Sequence, residues 1–210
     1  MAKQKYYVVW EGHTPGVYDN WTDASAQVQG YTAAKYKSFA SKADAQKAFK
    51  GSYWAYAGKD TKTVKKSLPD LEKLGVRLDS LAVDAACSGN PGDMEYQGVH
   101  VRTGERIFHM GPLAEGTNNI GEFLALVHGL AWLKQRNSPK TPIYTDSRNA
   151  MLWIKAKACR TKLEPTAQNK PIFELIDRAE KWLAANKVTN PILKWETEDW
   201  GEIPADFGRK

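Results

Sequence analysis

The sequence predicts an α/β protein in two parts: a small α+β domain over residues 1–51 and a larger domain over 76–210 with a mixed five-stranded sheet flanked by helices, joined by a linker over 52–75. Three observations carry that expectation. Strand-like and helix-like segments alternate in two separate series, each with its own apolar positions. Positive charge is concentrated early, since residues 1–75 hold 12 Lys against 7 acids and the remainder carries only +1 of the total +6. The second series also sets four acids in apolar company, where a lone carboxylate is costly unless cations or donors compensate it.

At 210 residues and 42% hydrophobic content the chain can bury sizeable cores. Cys87 and Cys159 stand far apart with no C-x-x-C, so neither a disulfide framework nor a zinc site is indicated, and a reducing cytoplasm fits. The apolar run before Glu11 is too short for a signal peptide or membrane span. The basic N-terminal third is the charge footprint of a polyanion-binding module, although a solvated lysine-rich surface gives the same total.

In the first domain, residues 5–11 read as a strand, 12–16 as a turn and 17–21 as a second strand. Thr22 or Asp23 can cap a short helix over 24–29 by accepting from unpaired N–H groups. A third strand covers 34–39, where alternation sets Lys35, Lys37 and Phe39 on one face and Tyr36 and Ser38 on the other. Ser41 and Asp44 resemble a capping box opening a helix to Phe49. Lysines beside Tyr7 and Trp21 would join phosphate neutralisation to stacking on sugars or bases, although core packing is the commoner role for any one aromatic. Residues 52–75 are polar and lysine-rich, as a linker should be, with a helical turn near 68–74.

The second domain opens on a strand at 81–86, followed by segments 94–102 and 105–110 flanking Thr103 and Gly104, which predict a hairpin with a two-residue turn. Thr117 or Asn118 caps a helix whose apolar stripe is Ile120, Phe123, Val127, Leu130 and Ala131, with Glu122 beside the stripe. The strand at 142–146 is reached through that helix and should lie parallel to an earlier strand. A helix near 148–157, a basic polar loop at 158–170, a helix over 171–186, a strand at 191–195 and a terminal helix beginning at 203 complete the order.

The four acids are Asp84, Glu122, Asp146 and Asp206. Asp84 falls mid-sheet in this order and Asp146 at the C-terminal end of a strand, the edge where open α/β sheets carry their sites. Carboxylates crowded together raise one another's pKa and repel unless hard cations neutralise them. Two magnesium ions about 4 Å apart can bind both the attacking water and the leaving oxygen in phosphodiester hydrolysis. Any one of these acids alone would more often be an ordinary capping or surface residue.

The surrounding motifs alter that balance. Residues 84–92 (Asp-Ala-Ala-Cys-Ser-Gly-Asn-Pro-Gly), 117–122 (Thr-Asn-Asn-Ile-Gly-Glu), 144–147 (Tyr-Thr-Asp-Ser), Lys194-Trp195 and 200–206 (Trp-Gly-Glu-Ile-Pro-Ala-Asp) together resemble the catalytic domain of type I ribonuclease H, from about residue 79 onward. Residues 7–12 (Tyr-Val-Val-Trp-Glu-Gly), 16–21 (Gly-Val-Tyr-Asp-Asn-Trp) and 34–39 (Ala-Lys-Tyr-Lys-Ser-Phe) resemble the hybrid-binding domain that precedes many such enzymes and recurs in caulimovirus viroplasmins.

The resemblance implies a ribonuclease H-like fold and an endonuclease that cuts the RNA strand of an RNA/DNA hybrid, leaving 5′-phosphate and 3′-hydroxyl ends. It places Asp84, Glu122, Asp146 and Asp206 as ligands of two Mg2+ ions, with Mn2+ a substitute, and Glu202 as an acid assisting proton transfer or product release. It further implies hybrid contacts from Tyr7, Trp21 and Lys37, from Asn90, Asn118 and Asn119, and from Arg148, where relatives often carry glutamine. Thr161 and Thr197 would donate to a DNA-strand phosphate. The histidine that many members carry before the last acid is absent, since the last histidine is His128. A cytoplasmic monomer without an obligate protein partner is expected. Two rival readings are a hybrid-binding adaptor with an inactive nuclease domain, against which all four acids are intact, and a fold relative acting on duplex DNA, against which Asn118, Asn119 and the N-terminal module argue.

Overall fold

The computed structural model describes residues 4–31, 34–53, 56 and 66–208. Residues 54, 55 and 57–65, all within the expected linker, lie outside that set. The chain divides at residues 63 and 64 into two compact units.

The first unit is an antiparallel sheet of order β2-β1-β3, formed by β1 (Tyr6–Glu11), β2 (Gly16–Tyr18) and β3 (Lys35–Phe39), with helices α1 (Trp21–Val28) and α2 (Lys42–Phe49). The cap of α1 is Asn20 rather than Thr22 or Asp23, because its side chain accepts from the Asp23 N–H at 2.9 Å and donates to the Asp23 carboxylate at 2.8 Å. Trp21 is therefore the first residue of a helix, not the end of a strand. Ser41 caps α2, accepting from the Asp44 N–H at 3.1 Å and donating to its carboxylate at 2.7 Å. Val8, Ala45 and Ala48 form the core, with Tyr6, Trp10, Phe39 and Tyr56 packed on it.

The second unit is a five-stranded sheet of order β6-β5-β4-β7-β8, from β4 (Leu81–Cys87), β5 (Gly92–His100), β6 (Arg106–Gly116), β7 (Ile143–Thr145) and β8 (Ile192–Lys194). β4, β5 and β6 run antiparallel, while β7 is parallel to β4 and β8 to β7. Its helices are α3 (Leu68–Lys73), α4 (Asn118–Gln135), α5 (Arg148–Ala156), α6 (Lys170–Ala185) and α7 (Thr197–Trp200).

One face of this sheet buries Val83, Ala85, Met94 and Tyr96 against α4, α5 and α6. α4 is buried on more than the expected stripe, since Leu124, Ala125, Leu126 and Leu133 are also inside; it has helices beside it as well as strands beneath. The opposite face buries Ala82, Val99 and Tyr144 beneath Trp195, Ile203 and Ala205, joined by Leu71 of α3. The segment expected to be a spacer thus contributes a core residue at its C-terminal end.

Two further expectations are corrected. The β5–β6 connection is longer than two residues, because the His100 N–H already pairs with Glu105 O at 2.8 Å and the Gly104 N–H, at φ +70°, returns to His100 O at 2.9 Å. No helix begins at 203: residues 201–208 form turns and irregular chain. There, Gln97 Nε2 captures Ala205 O at 2.7 Å, a carbonyl that a helix would use, and Trp195 Nε1 holds Gly201 O at 2.8 Å just before the segment. At the outer edge of the sheet, β6 is irregular, with Glu115 at φ +53°, Gly111 at φ +115° and three register shifts against β5.

Candidate active site

β4 is the central strand, and its parallel register with β7 pairs Leu81 with Ile143 and Ala82 with Tyr144. Continuing that register brings Asp84 level with Asp146, which immediately follows β7. Glu122 reaches the same place from α4, and the helix comes close because residue 121 is glycine: a Cβ there would lie 2.7 Å from Ala85 Cβ and 3.1 Å from Met94 Cγ. Oxygens of Asp84, Glu122 and Asp146 lie within 4.8 Å of one another. Asp206, on the irregular segment after α7, lines the same cleft of about 450 Å³, together with Asn118, Thr197 and Glu202.

Burial is the largest influence on Asp84, Glu122 and Asp146. It pushes Asp84 up to about 8, aided by the charges of Asp146, Glu122 and Asp206. Glu122 is pushed up to about 7 by burial, opposed by hydrogen bonds from Ser147 and Asn118. Burial also raises Asp146, while Lys194 pulls it down and Glu202 and Asp206 push it up. Asn118 Nδ2 donates to Glu122 Oε1 at 2.9 Å and Ser147 Oγ donates to Glu122 Oε2. Asp146 Oδ1 is buried with no hydrogen-bond partner among the described residues. Buried carboxylate oxygens, one of them orphaned and all repelling one another, fit hard divalent cations, which take oxygen ligands.

The other expected site residues scatter more widely. Asn119 is exposed beside the cleft and accepts from Asn149 Nδ2 at 3.2 Å, and Arg148 is exposed at the start of α5. Asn90 is exposed in the β4–β5 turn, and Thr161 lies in the loop before α6, its Oγ1 accepting from the Leu163 N–H at 3.1 Å; neither lines the cleft.

In the first unit, Tyr7 and Trp21 meet with ring centroids 5.2 Å apart. Lys37 does not join them. It pairs with Val8 across the ladder, on the face packed by α2, and donates to Tyr56 O at 3.1 Å. The residue beside the two aromatics is Tyr36, 44% exposed and 5.6 Å from Trp21. The alternation read from 35–39 already set Tyr36 opposite the lysines; which face held Tyr7 depended on the β1–β3 register. Ser147 was also missed as a site residue, because its two roles, capping α5 through the Ala150 N–H at 3.1 Å and orienting Glu122, join distant segments.

Fold and cleft together define an α/β protein with a carboxylate-lined, cation-suited site at the C-terminal edge of a mixed sheet. Residues 79–195 match the family model described as RNase H, and residues 5–49 match that of the Ribonuclease H1 N-terminal domain. The first match spans more than half of the chain, which therefore belongs to the RNase H family of endoribonucleases. Ribonuclease H of Cyanothece sp. is 27% identical over 129 residues, covering 59% of this chain and 78% of that protein. Ribonuclease HI of Brucella melitensis is 33% identical over 113 residues, covering 50% and 70%. Among solved structures, RNase H1 from the halophilic archaeon Halobacterium salinarum aligns with a TM-score of 0.36 at 20% identity, covering 57% of this chain and 87% of that one. LC11-RNase H1, solved in complex with RNA/DNA hybrid, aligns with a TM-score of 0.38 at 16% identity, covering 56% and 85%. No helix among the described residues is long and apolar enough to cross a membrane.

Proposed function

We propose that the protein hydrolyses the RNA strand of RNA/DNA hybrids, with Asp84, Glu122, Asp146 and Asp206 holding two Mg2+ ions and the N-terminal unit holding the hybrid. The observation that carries this reading is the meeting of Asp84, Glu122 and Asp146 within 4.8 Å, in a family of endoribonucleases. When bound, the ions supply neutralisation of the scissile phosphate, activation of the attacking water and stabilisation of the departing 3′ oxygen.

The chain's own groups supply orientation. Asn118 and Ser147 fix the plane of the Glu122 carboxylate, leaving it to accept from a ribose 2′-hydroxyl, the group that separates RNA from DNA. Glu202 lines the same cleft and would carry a proton between solvent and the reacting oxygens. Water adds to phosphorus, the bond to the 3′ oxygen breaks, and that oxygen takes up a proton, leaving 5′-phosphate and 3′-hydroxyl ends. Tyr7, Trp21 and Tyr36 offer a stacking face on the first unit, with Lys37 reaching phosphate around the edge strand β3. Asn90, Asn119, Arg148, Thr161 and Thr197 are proposed as peripheral contacts. The protein would act as a monomer in the cytoplasm.

The test incubates labelled RNA/DNA hybrid, duplex RNA, duplex DNA and single-stranded RNA with the protein, in Mg2+ and again in EDTA. Magnesium-dependent cutting confined to RNA in the hybrid is the expected result. Tight hybrid binding without cutting would overturn it in favour of an adaptor.

A further inference from the structure

We infer that Gln97, together with the Glu95–His109 pair, is a positioning latch that carries Asp206 into the acidic cluster. The inference rests on the reading of Asp206 as an ion-binding acid.

Asp206 differs from the other three acids in what holds it. Asp84 sits in β4, Glu122 in α4 and Asp146 directly after β7, whereas residues 201–208 belong to no helix or strand. That segment must be located by contacts across the chain: Trp195 holds its start through Gly201 O, and the residues flanking Asp206 are held by one row of the sheet. Gln97 is the cross-strand partner of Asp84, and His109 is the partner of Gln97. The three therefore project from the same face, beneath the terminal segment.

The row grips the residues on both sides of Asp206. On one side, Gln97 Nε2 donates to Ala205 O at 2.7 Å, a buried bond between positions 108 residues apart. Ala205 is fully buried and Gln97 is 9% exposed, so without that donor the carbonyl has lost its partner in a place where the loss is costly. On the other side, the His109 ring lies 6.2 Å from the Phe207 ring, and His109 Nε2 meets Glu95 Oε2 at 2.7 Å, which fixes the imidazole. Glu95 is itself buried on β5. Neighbours 205 and 207 are thus fastened to β5 and β6, and the side chain between them faces the cleft. Local bonds do not replace this grip: the Asp206 N–H returns to Ile203 O at 2.9 Å and Oδ2 accepts from the Gly208 N–H at 2.8 Å, both within the segment.

The latch predicts that loosening residues 95, 97 or 109 affects ion binding before it affects the fold. The test uses the full-length protein carrying Gln97→Met, which keeps length and removes the donor, or separately His109→Phe, which keeps a ring against Phe207 and removes the bond to Glu95. Hydrogen exchange is read first: the amides of 203 and 205–208 should exchange about tenfold faster while those of β4 and β5 keep their wild-type rates. Thermal unfolding of the protein alone is then titrated with Mg2+, and the midpoint concentration should rise about five- to tenfold in Gln97→Met and less in His109→Phe. On hybrid, kcat should fall about tenfold with KM within about twofold. Wild-type midpoints in both variants would overturn the latch and leave the ion site standing. Exchange accelerated equally across β4 and β5 would also overturn it, since the bond would then be serving the sheet alone. A wild-type protein whose unfolding does not respond to Mg2+ would overturn both the latch and the ion-site reading. If Gln97→Met does not fold, His109→Phe carries the same comparison.

Discussion

Asp146 combines an orphaned buried oxygen with the acids Asp84, Glu122, Glu202 and Asp206 around it, an arrangement that bound cations make favourable at neutral pH. Asp146→Asn should therefore abolish Mg2+-dependent cleavage while hybrid binding is kept or tightened, as read by turnover and filter binding. Glu202→Ala should slow turnover less than Asp146→Asn does, because Glu202 lines the cleft outside the clustered three. The raised acids also set a pH dependence. A carboxyl group whose folded pKa lies above its unfolded value holds more protons in the folded state, so stability falls as pH rises between the two values. With Asp84 near 8 and Glu122 near 7, the metal-free protein should lose on the order of a few kcal/mol from pH 5 to pH 8. Calorimetry in EDTA checks this, and Mg2+ should restore the loss at pH 8 while adding little at pH 5. The acids were legible because each interrupts an apolar run. Ser147 and Tyr36 were not, since their significance lies in partners that only the folded register brings near.

Among the elements, α4 couples fold and site most tightly. Gly121→Ala would force a methyl group to within 2.7 Å of Ala85 Cβ and push Glu122 away from Asp84. It should cost about 1–3 kcal/mol in denaturant unfolding and lower kcat at saturating Mg2+. The strands, the hairpin and the parallel direction of the strand at 142–146 followed from periodicity and the crossover rule, whereas the strand order and register come from the fold. The terminal segment was not legible: a sequence beginning Ile203-Pro204 satisfies the rules for starting a helix, and the long-range bond from Gln97 to Ala205 O outweighs them. Leu71 escaped for a similar reason, one apolar residue in a lysine-rich stretch giving no periodicity, although it is buried in the second unit.

For the whole molecule, the proposed division of labour follows chemistry: exposed aromatics on the first unit, the clustered carboxylates on the second. Replacing Trp21 and Tyr36 together by Ala should raise KM for hybrid about tenfold or more, given roughly 1–3 kcal/mol per stacked base, and steady-state kinetics across a salt series would measure it. The charge asymmetry was legible from composition, whereas the face that carries the aromatics depended on one ladder register. The irregular outer strand has its own consequence for the protein in concentrated solution. β6 spans 11 residues and, among the described residues, has a strand partner on one side only, which would ordinarily template pairing with a second copy. Pro112 withholds an N–H there, and the left-handed residues and register shifts bend the strand out of line. The irregularity that looks like imperfect pairing thus guards against edge-to-edge aggregation.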